Sequence, residues 1–164
     1  MRVLGRIVVG LVGAAVAAAI ALGATIVIGI RRRDPRVLRP MFRMQRDVLN
    51  MQALSTAGQP GDPHAIIRHV GRTTGREYAT PVGAVPEPGG FVIALPYGTE
   101  PQWVRNVLAA GEARLEHDGR VHQLHLPEVV AIETTSMARD DAWTVRLFGI
   151  REALRLTVRE GAPG

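Results

Sequence analysis

The stretch that decides the fold runs from Gly71 to Arg76 and has the sequence GRTTGR. Its two glycines allow the backbone to turn tightly and to present N–H groups, while the arginines and threonines add donors that suit a phosphate or a carboxylate. Two later segments, LPYG at 95–98 and WVRN at 103–106, add flat apolar surface from aromatic rings. The combination predicts a pocket for an anionic, planar ligand. A surface turn with solvated arginines is the alternative, because short patterns of glycine and charge recur by chance.

Strand patterns lie on both sides of this turn. We predict strands at residues 65–70, 76–85, 91–95, 112–117 and 120–126, and a further one near 129–133. The loop Pro86–Gly90 joins the second and third, and Asp118-Gly119 is typical of a tight hairpin turn between the fourth and fifth. Five or six short strands with one internal helix predict a small β-barrel.

Two helical regions complete the predicted domain. The internal helix is expected from Glu100 to Ala110, with Thr99 and Gln102 forming a capping box at its start and a glycine directly after its end. The tail, residues 136–159, is expected to form one or two short helices broken near Gly149. The predicted fold class is therefore mainly β with helices (α+β).

The N-terminal segment is unlike the rest of the chain. Residues Ile7 to Ile30 are 24 consecutive residues without a charge. As a helix they span ~36 Å at ~1.5 Å per residue, enough to cross a hydrocarbon core about 30 Å thick. A cleaved signal peptide has an apolar core of roughly 7 to 15 residues and a small-residue cleavage site, whereas this run ends in Arg31-Arg32-Arg33. We therefore predict one uncleaved transmembrane helix.

The arginines beside the predicted span set its orientation. Two arginines precede the span and seven follow it within residues 31–46. Because positive residues near a span stay on the cytoplasmic side, we predict a single-pass protein of the cell membrane with its N-terminus outside and its domain in the cytoplasm. Residues 31–51 carry seven arginines and two aspartates, a balance of +5 that equals the net charge of the whole chain. This local charge favours anionic membrane lipids as partners and argues against nucleic acid.

The sequence divides into three parts. Residues 1–33 form the predicted anchor with its basic end. Residues 34–63 comprise a juxtamembrane amphipathic helix from Pro35 to Gln52 and a loop rich in glycine and proline. This helix lies either along the membrane surface or against the domain. Residues 64–164 form the predicted barrel domain with its helical tail.

Missing residue types exclude several kinds of chemistry. The chain has no cysteine and no lysine, so disulfides, thiolate nucleophiles, Schiff bases and lysine-dependent phosphate loops are excluded. His122 and His125 lie three apart on a predicted strand and therefore face opposite ways, as His64 and His69 do with a separation of five. We predict no metal site.

Taken together, these segments resemble the family of deazaflavin (coenzyme F420)-dependent nitroreductases and quinone reductases. The resemblance covers about residues 64–130. It is carried by GRTTGR with Tyr78, Thr80 and Pro81, and by Tyr97-Gly98, Trp103 and Asn106. It implies a split β-barrel of the flavin- or deazaflavin-binding type. It also implies coenzyme F420, an 8-hydroxy-5-deazaflavin, with FMN as the alternative, and a pairing of two subunits as a possible homodimer.

The resemblance further implies which residues form the site. The cofactor-binding residues would be Arg72, Thr74, Gly75 and Arg76 for the phosphate and acidic tail, Thr80, Pro81, Val82, Ala94, Leu95, Pro96, Tyr97 and Gly98 beside the ring, and Arg105 and Asn106 from the helix. Tyr97 and Trp103 would be the catalytic residues, although the helical spacing of Trp103 with Val104, Val107 and Leu108 is more typical of a core, and Trp103 can serve in both. The coenzyme brings the hydride, so the protein need only bind, orient and exclude water.

The implied activity is hydride transfer from F420H2 to a quinone or a nitro compound. The predicted anchor favours a membrane-soluble, menaquinone-like acceptor, because tethering the protein raises the effective concentration of such a substrate at the site. The alternative function is a non-catalytic binder of deazaflavin, flavin or another lipophilic ligand at the membrane. Absence of an acid–base pair from the sequence is compatible with both.

Overall fold

The computed structural model describes residues 2–44 and 57–159, and the side chains of residues 11–40 and 57–159. Two helices come first, α1 (Arg2–Arg31) and α2 (Pro35–Met44). Among the described helices, α1 is the one long and apolar enough to cross a membrane, with a mean hydropathy of 2.5 over Leu11–Arg31. The predicted helix over residues 35–52 is found as far as Met44, and the rest of that prediction lies outside the described residues.

Residues 57–159 contain seven strands and three further helices. The strands are β1 (Ala65–Val70), β2 (Glu77–Val82), β3 (Ala84–Glu87), β4 (Gly90–Ala94), β5 (Glu112–His117), β6 (Arg120–Ala131) and β7 (Glu152–Val158). The helices are α3 (Gln102–Ala110), α4 (Met137–Asp140) and α5 (Ala142–Phe148), and a 3₁₀ turn lies at Ile132–Thr134. Neighbouring strands pair antiparallel throughout.

The strand order shows how the sheet closes. The order is β2-β1-β5-β6-β7-β4-β3, so β2 and β3 lie at opposite edges of one sheet. Only Gly83 separates these two strands in the sequence, and the sheet must therefore curl until its edges approach each other. A curled antiparallel sheet with helices packed against it is the split β-barrel that the resemblance implies, and the predicted fold class is confirmed.

The barrel encloses the main hydrophobic core. Its fully buried side chains include Ile67, Ile93, Leu115, Leu124, Leu154 and Leu156. Helix α3 belongs to this core because Val104 and Val107 are fully buried against it. A second cluster on the outer face joins Val92 and Ala153 of the sheet to Met137 of α4. The core thus fixes α3 beside β1, next to the GRTTGR turn.

Two strand predictions are wrong in detail. The predicted strand at 76–85 is two strands broken at Gly83, because β2 and β3 belong to different sheet edges. The strands predicted at 120–126 and near 129–133 are one strand, β6, which contains a bulge between His125 and Glu128. Leu126 within the bulge has a positive φ of 52°. The hairpin turn at Asp118-Gly119 is confirmed, with φ of 49° and 73°.

The tail contains the largest error. Helices α4 and α5 and the break at Gly149 agree with the prediction, but residues 152–158 form β7, between β6 and β4 in the sheet. Its Ala153 lies in the outer cluster and its Leu154 in the barrel. Residues 154–158 alternate apolar and polar side chains, a strand signal that conflicts with the predicted helix. The capping box is also wrong: α3 starts after Pro101 without a side-chain cap.

Candidate active site

A cavity of about 680 Å³ opens between the GRTTGR turn, β2, the loop Leu95–Gly98 and the first turns of α3. The cavity has two chemically distinct parts. Its polar part is formed by Arg72, Thr73 and Thr74 of the turn together with amide side chains of α3. Its other walls are mainly apolar and come from β2, β4 and the loop that follows β4.

The GRTTGR turn is held by its own backbone. Gly71 N–H donates to Arg76 O at 2.7 Å, and Gly75 N–H donates to Gly71 O at 2.8 Å. Gly75 has φ of 65°, a left-handed conformation that disfavours side chains with a Cβ. A Cβ at Gly71 would approach Tyr78 Cε2 at 2.7 Å. The turn therefore needs both glycines, and it presents the intervening Arg72 and Thr74 to the cavity.

Helix α3 fixes the position of Arg72. The backbone N–H of Arg72 and its Nη1 donate to Asn106 Oδ1 at 3.2 and 3.0 Å, and Nη1 also donates to Gln102 Oε1 at 2.8 Å. Asn106 is buried, and its two bonds with Arg72 are partly buried, whereas the bond between Arg72 and Gln102 is exposed. A guanidinium carries five N–H donors. The side-chain contacts with α3 use its Nη1 group.

The same network defines the protonation of His69. Because Asn106 Oδ1 accepts from Arg72, the amide Nδ2 of Asn106 donates to His69 Nδ1, at 3.2 Å. His69 therefore carries its proton on Nε2 and donates to Thr80 Oγ1, also at 3.2 Å. Burial lowers the pKa of His69, which favours this neutral form. The hydroxyl hydrogen of Thr80 remains available to the cavity, which Thr80 lines.

The apolar part of the cavity suits a flat ring. Pro81 and Val82 of β2 face Leu95 and Pro96 of the loop across the space, and Trp103 adds an indole from α3. Trp103 also packs against the barrel core, so the two expectations for this residue are compatible. Burial raises the pKa of Tyr97, so its phenol keeps its proton at neutral pH.

The structure brings most of the predicted site residues together. Those that line the cavity are Arg72, Thr74, Thr80, Pro81, Val82, Ala94, Leu95, Pro96, Tyr97, Gly98, Trp103 and Asn106. Three others, Gly75, Arg76 and Arg105, do not line it. Gly75 shapes the turn instead, and the guanidinium of Arg105 pairs with the carboxylate of Glu100. Because Glu100 itself lines the cavity, this ion pair offsets a negative charge that would oppose an anionic ligand.

Sequence reasoning missed three contributors to the site. His69 was considered only as a metal ligand, Gln102 only as a helix cap, and Tyr78 only as part of a motif. Gln102 and Asn106 lie four residues apart on α3 and share Arg72, a spacing that places both on one helix face. Tyr78 stacks on His69 with ring centroids 5.8 Å apart, and its hydroxyl pairs with Thr74 Oγ1 at 3.1 Å.

The donor set fits an anionic coenzyme with a planar ring. Arginine and threonine donors meet at one part of the cavity, and apolar walls enclose the remainder. Among the described residues, no group of three or more His, Asp or Glu side chains could hold a metal ion.

Comparison with known proteins identifies the family. A model of the F420H(2)-dependent quinone reductase family matches residues 41–145, which is more than half of the 164-residue chain. The chain belongs to this family. The match confirms the resemblance, and it classes the protein with F420-dependent oxidoreductases without support for FMN. A comparison with curated proteins finds no match.

Several solved structures are similar to this member of the F420H(2)-dependent quinone reductase family. An F420-H2 dependent reductase (FDR-A) is 16% identical over 57% of this chain and 93% of that chain, with a TM-score of 0.38. HutZ, a heme storage protein from Vibrio cholerae, is 11% identical over 62% of this chain and 84% of that chain, with a TM-score of 0.45. A domain-swapped dimer is 13% identical over 71% of this chain and 98% of that chain, with a TM-score of 0.42.

Proposed function

We propose that this protein is a membrane-anchored reductase that transfers a hydride from F420H2 to a quinone in the bilayer. The observation that carries the proposal is the two-part cavity, with the Arg72 cluster at one part and apolar walls at the other. This distribution matches a coenzyme that joins a planar ring to an anionic tail. The long apolar helix α1 supports the anchor, and the arginines that follow it support a cytoplasmic domain.

In this proposal the turn and the strands hold different parts of the coenzyme. Arg72 and Thr74 bind the phosphate and the acidic tail through charge-assisted hydrogen bonds. Thr80, Pro81 and Val82 lie along one side of the ring, and the loop at 95–98 lies along another. When bound, the reduced deazaflavin supplies the hydride. Helix α3 keeps the anion site in place through Asn106, which ties it to Arg72.

Reduction of a quinone to a hydroquinone consumes one hydride and one proton, so the acceptor needs one proton donor. Tyr97 is the proposed donor at the cavity, because its phenol stays protonated at neutral pH. Trp103 gives the acceptor ring a flat apolar surface from α3. Both residues also exclude water, which keeps the hydride from side reactions.

Binding and turnover experiments test this proposal together. The full chain in detergent is titrated with F420 and with FMN, and oxidation of F420H2 is then followed spectroscopically with a menaquinone or a nitro compound as acceptor. Tight binding of F420 with reduction of the menaquinone is expected. Binding without turnover of any acceptor would favour the non-catalytic binder. Tighter binding of FMN than of F420 would overturn the coenzyme assignment.

Two partner proposals accompany this function. Anionic lipids are proposed to contact Arg32, Arg36 and Arg39, which are exposed beside the end of α1. Flotation with and without anionic lipid at high salt tests this contact. A homodimer is the proposed assembly, and light scattering of the purified chain in detergent tests it. A monomeric mass after subtraction of the bound detergent would exclude the dimer.

A further inference from the structure

The last turn of α1 is joined to helix α5. Arg31 Nη1 donates to the carbonyl oxygens of Arg146 at 3.0 Å and Leu147 at 3.3 Å, both in the last turn of α5. A cation is favoured at this end of a helix because the unpaired carbonyls carry partial negative charge. Ile30 is buried beside this contact. The end of the apolar helix therefore has a defined place on the barrel domain.

A second contact joins the same segment to the cavity loop. Arg33 Nη2 pairs with Glu152 Oε2 at 2.7 Å, and the backbone oxygen of Glu152 accepts from Leu95 N–H at 2.9 Å. A Cβ at Gly98 would lie only 2.9 Å from Arg33 Cζ, so the guanidinium covers this glycine closely. Glu152 thus contacts both the loop at 95–98 and Arg33, which lies two residues after the end of α1.

Helix α5 carries an exposed tryptophan beside these contacts. Trp143 is 72% exposed, the highest exposure of any large hydrophobic residue in the described part of the chain. Arg146, also exposed, follows three residues later and lies on the same helix face. An indole beside an arginine is typical of helices at a membrane–water interface, where the ring is buried and the charge stays hydrated.

We infer that α5 lies at the bilayer surface and that Trp143 inserts into the headgroup region as a second membrane contact of the protein. The inference rests on the proposed membrane insertion of α1. The uncharged run ends at Ile30, so Arg31 lies at the boundary of the hydrocarbon. Trp143 is four residues from Leu147, about 6 Å along the helix at ~1.5 Å per residue, and a headgroup region is roughly 5–8 Å thick.

This placement has a consequence for the cavity. The loop at 95–98 lines the cavity and is joined through Glu152 to the same end of α1. Two contacts on the bilayer restrict rotation of the domain about the membrane helix far more than one contact does. The cavity then keeps one orientation toward the membrane, and a ligand dissolved in the bilayer enters beside the loop without crossing bulk water.

Tryptophan fluorescence tests the inference on the full chain, because Trp103 and Trp143 are its two tryptophans. W103F leaves Trp143 as the emitter, and W143F leaves Trp103. Each variant is placed in phosphatidylcholine–phosphatidylglycerol vesicles with or without bromine near the top of the acyl chains. Bromine is expected to quench Trp143 emission at least about twofold and to leave Trp103 emission nearly unchanged. Equal emission of Trp143 in both vesicles would overturn the inference.

Further measurements separate this inference from the proposed function. Flotation of the vesicles reports insertion of α1. Protein that floats without quenching of Trp143 keeps the proposed anchor and overturns the second contact, whereas protein that does not float overturns both. The emission of Trp143 can instead depend on protein concentration and not on bromine. That result would show that a second copy of the protein covers α5, and it would also overturn the inference. In the W103F background, R31A should reduce the quenching, while the neighbouring R32A should not.

Discussion

Asn106 accepts two hydrogen bonds from Arg72, one from the backbone N–H at 3.2 Å and one from Nη1 at 3.0 Å. Asn106 is only 6% exposed, and the two bonds join helix α3 to the GRTTGR turn. The same amide donates to His69 on β1. One side chain thus sets the geometry of the turn, the helix and the strand at the polar part of the cavity.

Replacing Asn106 by Ala should destabilise the domain and weaken F420 binding. The change leaves the buried His69 and the partly buried donors of Arg72 without this partner, at a cost of about 1–3 kcal/mol. Urea unfolding of the chain in detergent and a coenzyme titration measure the two effects. Gln102→Ala is the matched control, since it removes one exposed bond to the same arginine. Equal losses for both variants would contradict a special role of the buried amide.

Arg72 and Arg76 offer a matched pair on one turn. Arg72 lines the cavity and Arg76 does not. A charge-assisted contact contributes roughly 1.5–3 kcal/mol, so Arg72→Ala should weaken F420 binding about tenfold or more. Arg76→Ala should weaken it less than about twofold, because exposed charges at a distance are screened. Isothermal titration with both variants measures the difference.

A deazaflavin without the phosphate and acidic tail is the control for this pair. Its affinity should be nearly unchanged by Arg72→Ala if the guanidinium binds the tail. A similar loss for the tail-less compound would mean that Arg72 acts by holding α3, to which it is bonded through Asn106 and Gln102.

The buried state of His69 predicts a pH dependence of stability. Burial lowers its pKa below 6.5, so the unfolded chain takes up a proton at a higher pH than the folded chain does. The free energy of unfolding is therefore unaffected by His69 above about pH 6.5 and falls as pH decreases toward the lowered pKa, by at most about 1.4 kcal/mol per pH unit. His69→Gln should remove this part of the slope in urea unfolding curves measured at several pH values. An unchanged slope in the His69→Gln variant would mean that the buried imidazole is not the titrating group.

Leu154 on β7 should be among the most costly residues to truncate. It is fully buried between β6 and β4, and loss of a buried leucine side chain costs about 2–5 kcal/mol. Leu108→Ala on α3 is the control, since Leu108 is 37% exposed and its loss should cost under about 1 kcal/mol. Urea unfolding measures the loss of stability in both variants, provided that the m-value is unchanged. A small effect at Leu154 would contradict a central strand.

This strand also shows the limit of sequence reasoning about the fold. The hairpins with positive-φ turns and half-exposed strands could be predicted, because turn residues and alternation are local signals. The segment 152–158 alternates over only five residues, 154–158, directly after two predicted short helices. Its central place in the sheet comes from pairing with β6 and β4, which are distant in sequence. The break at Gly83 could not be predicted for the same reason. It separates the two edge strands of the sheet, and which strands lie at the edges depends on the order of all seven strands.

The site shows a similar division. Arg72 and Thr80 belong to the sequence motifs of the family and could therefore be predicted as site residues. The resemblance assigns Arg105 to the ligand, and its place off the apolar stripe of the helix agrees with that, yet its guanidinium pairs with Glu100. His69 was not recognised because its role depends on an amide 37 residues away. Ion pairs and buried networks between distant residues leave no local pattern.

If the acceptor is a quinone dissolved in the bilayer, the bilayer should raise the rate at which protein and quinone meet and leave the rate of hydride transfer unchanged. Full-length protein in vesicles should oxidise F420H2 faster with a long-tailed quinone than the same protein in dilute detergent, because bilayer and anchor concentrate protein and quinone together. A short, water-soluble quinone should be reduced at similar rates in both, since hydride transfer depends on local geometry. The decisive quantity is the ratio of the two rates for each acceptor. Equal ratios for the long and short quinones would exclude the bilayer as the source of the substrate, even if turnover itself is fast.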